Sequence, residues 1–513
     1  MAQHNSPQIQ HIVILGAGAA GWLTAAVIAA THDLPRHPYL TVSVIESPDA
    51  PILGVGEGTW PTMRDTLRKI GISEQDIIRQ CHGAFKQGTC FRQWGSRQPS
   101  GLADTYYHPF DLPAGFFETN IGQWWAEQST AGSFAHAVSA QPALCEQFQA
   151  PKQHQTPPFA AVANYGYHLD AHEFAALLKR HCTEQLGVQH YSAHIDEVIS
   201  DSHNQISALQ TRTGQRISGD LFVDCSGFSA RLIGQHYGQA LTDVSHVLPN
   251  NTALAVQAGY QDPAGPVASV TYSTAHASGW LWDIGLSHRK GVGCVYSSAF
   301  CDDETATQTL LSYLAQDDTT VTPSPEAIRK IGFTPGYRAT SWVENCVAVG
   351  TSMGFAEPLE ASALVMVELA ASHLARHLPV SKDLLSASAR QYNQAFTAKW
   401  QRIVDFLKLH YVLSCRQDSP YWRTVSNISS ASEQLQDWLV QWQHRAPEHT
   451  DFFYQDEVFP QASYLYVLYG MGFVTAPGHR PQASIDPLMH QLAQRRQQWQ
   501  QGLPTHRALL NAI

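Results

Sequence analysis

His11-Ile12-Val13-Ile14-Leu15-Gly16-Ala17-Gly18-Ala19-Ala20-Gly21 joins a short apolar run to glycines spaced Gly-x-Gly-x-x-Gly. The run has the length and composition of a strand buried on both faces, and Trp22 to Ala30 continues as a helix. Strand, glycine turn and helix in that order are the fingerprint of a dinucleotide-binding unit. Gly16 permits the tight turn, Gly18 lets the backbone approach a pyrophosphate, and Gly21 with Ala25 lets the helix lie close to the sheet. Gly16, Gly18, Ala19, Ala20 and Gly21 are therefore candidate cofactor contacts. Leu40 to Ile45 forms the next strand and ends at Glu46, placed to accept hydrogen bonds from an adenosine ribose. That carboxylate favours FAD or NAD over a 2′-phosphorylated nucleotide and does not choose between the first two.

Gly54-Val55-Gly56-Glu57-Gly58-Thr59 is a second glycine-rich stretch, able to expose backbone donors or to move as a flap over a cofactor. Trp60-Pro61 then leads into a helix patterned by Met63, Leu67 and Ile70 and stopped at Gly71. His168-Leu169-Asp170 precedes a helical run from Ala171 to Lys179, and Asp220 to Gly227 reads as another buried strand entering a small-residue turn. A later strand and turn, Cys346 through Gly354, leads to Phe355-Ala356-Glu357-Pro358-Leu359-Glu360. Ligands of a parallel sheet collect at its strand ends, so such distant pieces can meet at one cofactor. Trp280-Leu281-Trp282-Asp283-Ile284-Gly285 places two indoles at period two, hence on one side of a strand. They read as a wall beside the cofactor or as plain sheet packing.

With 513 residues, 44% hydrophobic and 15% charged, the chain suits one large domain or two interlocked ones and is not expected to be disordered. Its net charge of -11, without long basic blocks, argues against a nucleic-acid partner. Nine scattered cysteines without a CxxC point to free thiols in a reducing, cytoplasmic setting. No run of about 20 apolar residues suggests a membrane span. The histidines form no HExxH or other ligand cluster, so no metal is expected. Residues 10–375 read as a nucleotide-binding core with inserted strands and substrate-facing elements. Residues 376–513 read as a mostly helical region packed on it, with a polar, glutamine-rich tail after about 490. Trp400, Ile403, Phe406, Leu407, His410 and Tyr411 make an apolar stripe suited to packing and to a homodimer interface.

Several of these runs together resemble the flavin-dependent tryptophan halogenase family. They are Gly16 to Gly21, Gly54-Val55-Gly56-Glu57, Phe85-Lys86, Asp224-Cys225-Ser226-Gly227-Phe228, Trp280-Leu281-Trp282-Asp283-Ile284, Glu357-Pro358-Leu359-Glu360 and Leu409-His410-Tyr411. The resemblance implies an α/β fold: a Rossmann-like FAD domain of the single-component flavin monooxygenase type, embraced by a mostly helical substrate-binding region. It adds Gly54, Gly56, Glu57, Gly350 and Leu359 to the cofactor contacts. It further implies a separate NAD(P)H-dependent flavin reductase that delivers FADH2 without need of a stable complex. Reaction with O2 would give a flavin C4a-hydroperoxide, chloride or bromide would attack it, and hypohalous acid would travel to an electron-rich aromatic substrate.

By the same resemblance, Lys86 directs the oxidant by hydrogen bonding or as a chloramine-like adduct. Glu360 orients that lysine and stabilises cationic character on the ring or receives its proton. Trp280 and Trp282 separate flavin from substrate, and the backbone donors of Ser362 and Ala363 bind halide. His108 and Phe110, in Tyr107-His108-Pro109-Phe110, face the aromatic substrate, with Tyr454 a further candidate.

Two departures bear on activity. Gly285 stands where the family's WxWxIP ends in proline, which restores a backbone donor and loosens the dihedral constraint. Ala361-Ser362-Ala363 replaces the common Ser-Thr-Gly, removing a hydroxyl at Ala361 and the freedom of a glycine at Ala363. The pattern that recognises free tryptophan is not evident, so indoles, phenols, pyrroles and a carrier-bound aromatic group all stay open. The alternatives are an aromatic flavin monooxygenase and a noncatalytic flavin-binding interaction protein.

Overall fold

The computed structural model describes residues 8–37, 39–49, 54, 56–95, 104–128, 132–452, 457–478 and 485–513; Tyr454 lies outside them. Among these residues, a six-stranded sheet carries His11–Leu15 near its centre. The order is Trp342–Val343, Cys346–Ala348, Leu221–Asp224, His11–Leu15, Thr41–Glu46, Gln189–Ser192. Every pairing is parallel except that of the edge strand Trp342–Val343. Ile12 sits opposite Leu221 on one side and Val42 on the other. Helices cover the sheet, so Ile12, Val13, Ile14, Val42 and Val44 lose all contact with solvent. This is why the run is continuously apolar rather than alternating.

The turn after the first strand explains its three glycines separately. Gly16 adopts φ +111°, the left-handed side that other residues avoid. Gly18 is already the N-cap of the helix Ala19–Thr31, which starts three residues earlier than its apolar pattern shows. A Cβ on Gly21 would stand 1.9 Å from the Gly16 carbonyl oxygen, so Gly21 serves packing of helix on turn. That helix packs between Ala171–Glu184 and Ser362–Arg376. Asp170 caps the former by accepting from the His172 and Glu173 amides, and the helix runs past Lys179 to Glu184.

A seven-stranded sheet forms the second layer, ordered Arg329–Gly332, Thr252–Gly259, Arg289–Tyr296, Gly279–Gly285, Thr271–His276, Gly88–Arg92, Thr105–Pro109. Both tryptophans lie on its central strand. Gly285 stays in that strand opposite Lys290. A Cβ there would meet the Tyr260 hydroxyl and Val267 at 3.2 Å, so the strand end lies close against its neighbours.

Beyond residue 376 the described elements are helices, but their packing crosses that boundary. The 28-residue helix Leu385–Val412 starts against the first sheet, where the Asn393 side chain accepts from the Ser341 and Trp342 amides. The glutamine-rich tail is not a loose appendage. It forms the helices Asp486–Gly502 and His506–Ala512, and His506 is fully buried with Nε2 accepting from the Phe85 amide at 2.9 Å. All nine cysteines are free thiols. No helix among the described residues is long and apolar enough to cross a membrane.

Gly21→Ala is expected to lower stability by about 3 kcal/mol, because backbone blocks the new methyl. Gly18→Ala, whose Cβ meets nothing within 4 Å, should stay within about 1 kcal/mol of the parent. Denaturant titration of both variants checks the contrast.

Candidate functional site

A cavity of about 710 Å³ opens at the carboxyl ends of the parallel strands, within the size range of small-molecule sites. Gly16, Gly18, Ala19, Ala20, Glu46, Gly54, Gly56, Glu57, Gly350, Leu359, Ser362 and Ala363 all line it, which brings together candidates more than 300 residues apart. Gly21 does not line it, for the packing reason given above. The bare face of Gly18 leaves room for a ligand to touch backbone, as a dinucleotide pyrophosphate requires. The Glu46 carboxylate is oriented by Lys179 Nζ at 2.6 Å and His190 Nε2 at 2.7 Å. Arg212 and Arg231 add positive charge to the lining. These features fit FAD. Glu57, also lining the cavity, is pushed up to about 7 by desolvation.

Lys86 ends the strand Ala84–Lys86, paired through Gly166 with Gly166–Leu169. Its side chain lines the cavity, and Nζ also lies 5.5 Å from the centre of the Phe110 ring. One amine therefore reaches both the cofactor cavity and the candidate substrate side. A Cβ on Gly58 would stand 3.0 Å from that Nζ, so glycine there keeps the lysine's path clear. Burial lowers the Lys86 pKa to about 8, with Glu360 opposing the fall.

Glu360 is buried beyond the lysine. His108 Nδ1 donates to its Oε1 at 2.8 Å, and His410 Nε2 stands 3.3 Å from the same oxygen. Burial alone would raise its pKa, but the two imidazoles hold it down at about 2. The carboxylate makes no ion-pair contact with Lys86; its bonded oxygen is taken by the histidines, and it acts on the amine at longer range. Because Glu360 only accepts, His108 must carry its proton on Nδ1. Its Nε2 then faces the Ser463 hydroxyl at 3.0 Å. His410 Nδ1 meets the Tyr106 hydroxyl at 2.7 Å. The Glu360 carbonyl accepts from Trp60 Nε1 at 2.8 Å, which ties it to the helix following the glycine-rich stretch.

The tryptophans divide their tasks. Trp282 lines the cavity and lies across Gly293, where any side chain would overlap the indole. Trp280 does not line it; its indole donates to Glu357 Oε2 at 2.7 Å. Glu357 also accepts from Asn250 at 2.5 Å and from the Tyr411 hydroxyl at 2.8 Å, and burial still raises its pKa. The two indoles stay in contact, ring centres 6.3 Å apart.

Ser362 and Ala363 open the 15-residue helix Ser362–Arg376, and no side chain caps it. The unusual backbone is at Ala361, with φ +53°, and not at Ala363, which is ordinary helix. The first-turn amides are thus free of a cap at the cavity wall, where an anion is favoured. Sequence reading did not assign Asn250, Tyr106 or the contact of His410 with Glu360. The available signal was pairing: Glu357 and Glu360 lie three residues apart, and the adjacent His410 and Tyr411 each reach one of them. No group of three or more metal-ligating side chains is assembled among the described residues.

A family model described as tryptophan halogenase matches residues 11–487. The chain is 30% identical to tryptophan 7-halogenase RebH of Lentzea aerocolonigenes, over 98% of each chain. It is 32% identical to tryptophan 6-halogenase ThaL of Streptomyces albogriseolus, covering 83% of this chain and 80% of the relative. Among solved structures, a tryptophan halogenase from Shewanella frigidimarina NCIMB 400 superposes with a TM-score of 0.93 at 43% identity, over 98% of this chain and 97% of that one. BrvH, a flavin-dependent halogenase from Brevundimonas sp. BAL3, does so with 0.86 at 31% identity, over 99% and 100%. With the cavity and its lysine in place, the chain belongs to the tryptophan halogenase family, enzymes that use FADH2, halide and O2 on an aromatic substrate and depend on a separate flavin reductase.

Proposed function

We propose that this enzyme halogenates an electron-rich indole, phenol or pyrrole with hypohalous acid directed by Lys86. The observation that carries the reading is the position of that amine, lining the FAD cavity at one side and 5.5 Å from the Phe110 ring centre at the other. The relatives named for tryptophan bring free tryptophan and other indoles to the front of the panel to be tested. Bound FADH2, with O2 and halide, supplies the hypohalous acid. The Ser362 and Ala363 amides hold the halide at the helix N-terminus. Trp282 stands in the wall that keeps the aromatic ring away from the flavin, and Trp280 steadies it from Glu357.

Lys86 in its ammonium form donates a hydrogen bond to the oxidant and increases its electrophilicity toward the ring. Glu360 stays ionised because two imidazoles face Oε1, and it stabilises the cationic ring and takes the proton that halogen replaces. His108 serves twice, as a donor to Glu360 and as one side of the aromatic pocket with Phe110. A monooxygenase would instead need the ring beside the flavin.

Reduced flavin, oxygen, bromide and a panel of simple aromatics, followed by product mass spectrometry, test this reading. Brominated product supports it, and hydroxylated product without bromine overturns it. Lys86→Met should cut halogenated product by about a hundredfold or more while flavin oxidation continues, since it removes a group acting only on the oxidant. The same variant should be more stable at pH 7 by up to about 3 kcal/mol, because holding a charged amine in this burial costs that much. Between pH 8 and 10.5 the unfolded chain keeps a proton that the folded Lys86 sheds, so this group's contribution to stability rises with pH there. Melts across that window should show the rise in the parent and a flatter profile in Lys86→Met. Halogenation per flavin oxidised should fall as pH climbs through about 8, where the ammonium donor is lost; a yield that rises instead would favour the chloramine route.

A further inference from the structure

The cavity that Lys86 lines also carries a hydroxyl that the proposed chemistry leaves unused. Thr271 begins the strand Thr271–His276, pairs in parallel with Thr89, and lines the cavity together with Lys86 and Trp282. Its Oγ1 lies 2.8 Å from Nε2 of His168, a fully buried residue on Gly166–Leu169, the strand that pairs with the strand of Lys86. Burial, reinforced by the charge of Lys86, keeps this imidazole neutral. A hydroxyl has one donor and two acceptor positions, and the imidazole engages one of them. Whichever atom holds the shared proton, at least one lone pair of Oγ1 is left.

Lys86 can only donate. Ala361 approaches Gly58 next to the lysine and brings a methyl group without hydrogen-bonding capacity. Hypohalous acid has both an O–H donor and oxygen lone pairs. Held by the ammonium alone it is fixed at one point and free to swing; an acceptor for its O–H fixes a second.

We propose that Thr271, oriented by His168, is a second anchor for hypohalous acid, accepting its O–H while Lys86 donates to its oxygen. Thr271 would contact the oxidant, and His168 acts through Thr271 as a positioning residue. The proposal rests on the halogenase reading above.

Thr271→Val keeps the β-branched shape and removes the hydroxyl. Flavin oxidation should stay near the parent rate, while halogenated product per flavin oxidised falls about fivefold and hypohalous acid caught by an added thiol scavenger rises correspondingly. His168→Gln should move both readouts the same way by a smaller factor, and serves if the valine variant folds poorly. A readout that needs no flavin is the crystal structure of the flavin-free protein. Water is the stand-in for the oxidant's oxygen, expected on the cavity side within about 3.2 Å of Thr271 Oγ1 and absent in Thr271→Val. Parental coupling in both variants, or a parent crystal with no such water, overturns the anchor. A parent that forms no halogenated product from any aromatic overturns the halogenase reading instead.

Discussion

A buried ammonium is costly, and much of this active site exists to keep one in place. Lys86 has lost its water, so its charge persists only by virtue of surrounding negative potential and of the space left for its side chain. Glu360 supplies the potential without touching it. A direct ion pair would strengthen the charge further but would engage one of the amine's three donors. Placing both imidazoles at Oε1 keeps the carboxylate ionised. Gly58 supplies the space. The site therefore stabilises a charge at moderate strength, leaving the amine close to its titration point near neutral pH.

This arrangement draws its parts from across the chain, and one helix ties them together. Leu385–Val412 holds the edge of the nucleotide-binding sheet through Asn393 and ends with His410 and Tyr411, facing Glu360 and Glu357. Glu357 in turn binds Trp280, so the wall and the acid–lysine pair share a common rigid support. On the opposite side, Trp60 bonds the Glu360 carbonyl, and the Thr62 and Thr66 hydroxyls donate to Glu368. Burial pushes that acid up to about 8, and the two hydroxyls oppose the shift. The helix following the glycine-rich stretch is thereby fastened to the helix whose first turn lines the cavity.

Local patterns reached the nucleotide fold because its chemistry is local: within one turn Gly16 takes a positive φ, Gly21 packs on the Gly16 carbonyl, and Gly18 leaves a bare face. The same reasoning failed where function arises between segments. Nothing around Trp280 announces that its indole is committed to Glu357 while Trp282 faces the cavity, since period two assigns both to one side. Nor does the polar composition of the tail reveal that His506 returns to accept from the Phe85 amide, one residue before the lysine. Motif likeness picked out Lys86 and Glu360, which the fold sets within electrostatic reach of each other, but the hydroxyl at Thr271 belongs to no motif and required the folded arrangement to be seen.

The replacement of Ser-Thr-Gly by Ala361-Ser362-Ala363 illustrates how backbone chemistry tolerates substitution. Anion binding at a helix start uses amide N–H groups, which every residue except proline provides. Ala363 sits in regular helix, so the missing glycine costs little there. The conformational burden falls on Ala361, whose positive φ is uncommon for a residue with a Cβ. It is held by the bonds on either side: the Glu360 carbonyl to Trp60, the Ala361 amide to the Pro358 carbonyl, and the long helix beginning at Ser362. Strain at this position is thus absorbed by the elements that fix Glu360 and the helix start, and the methyl there lines the Lys86 side of the cavity without the hydroxyl of the family's serine, leaving only the backbone donors of the helix start.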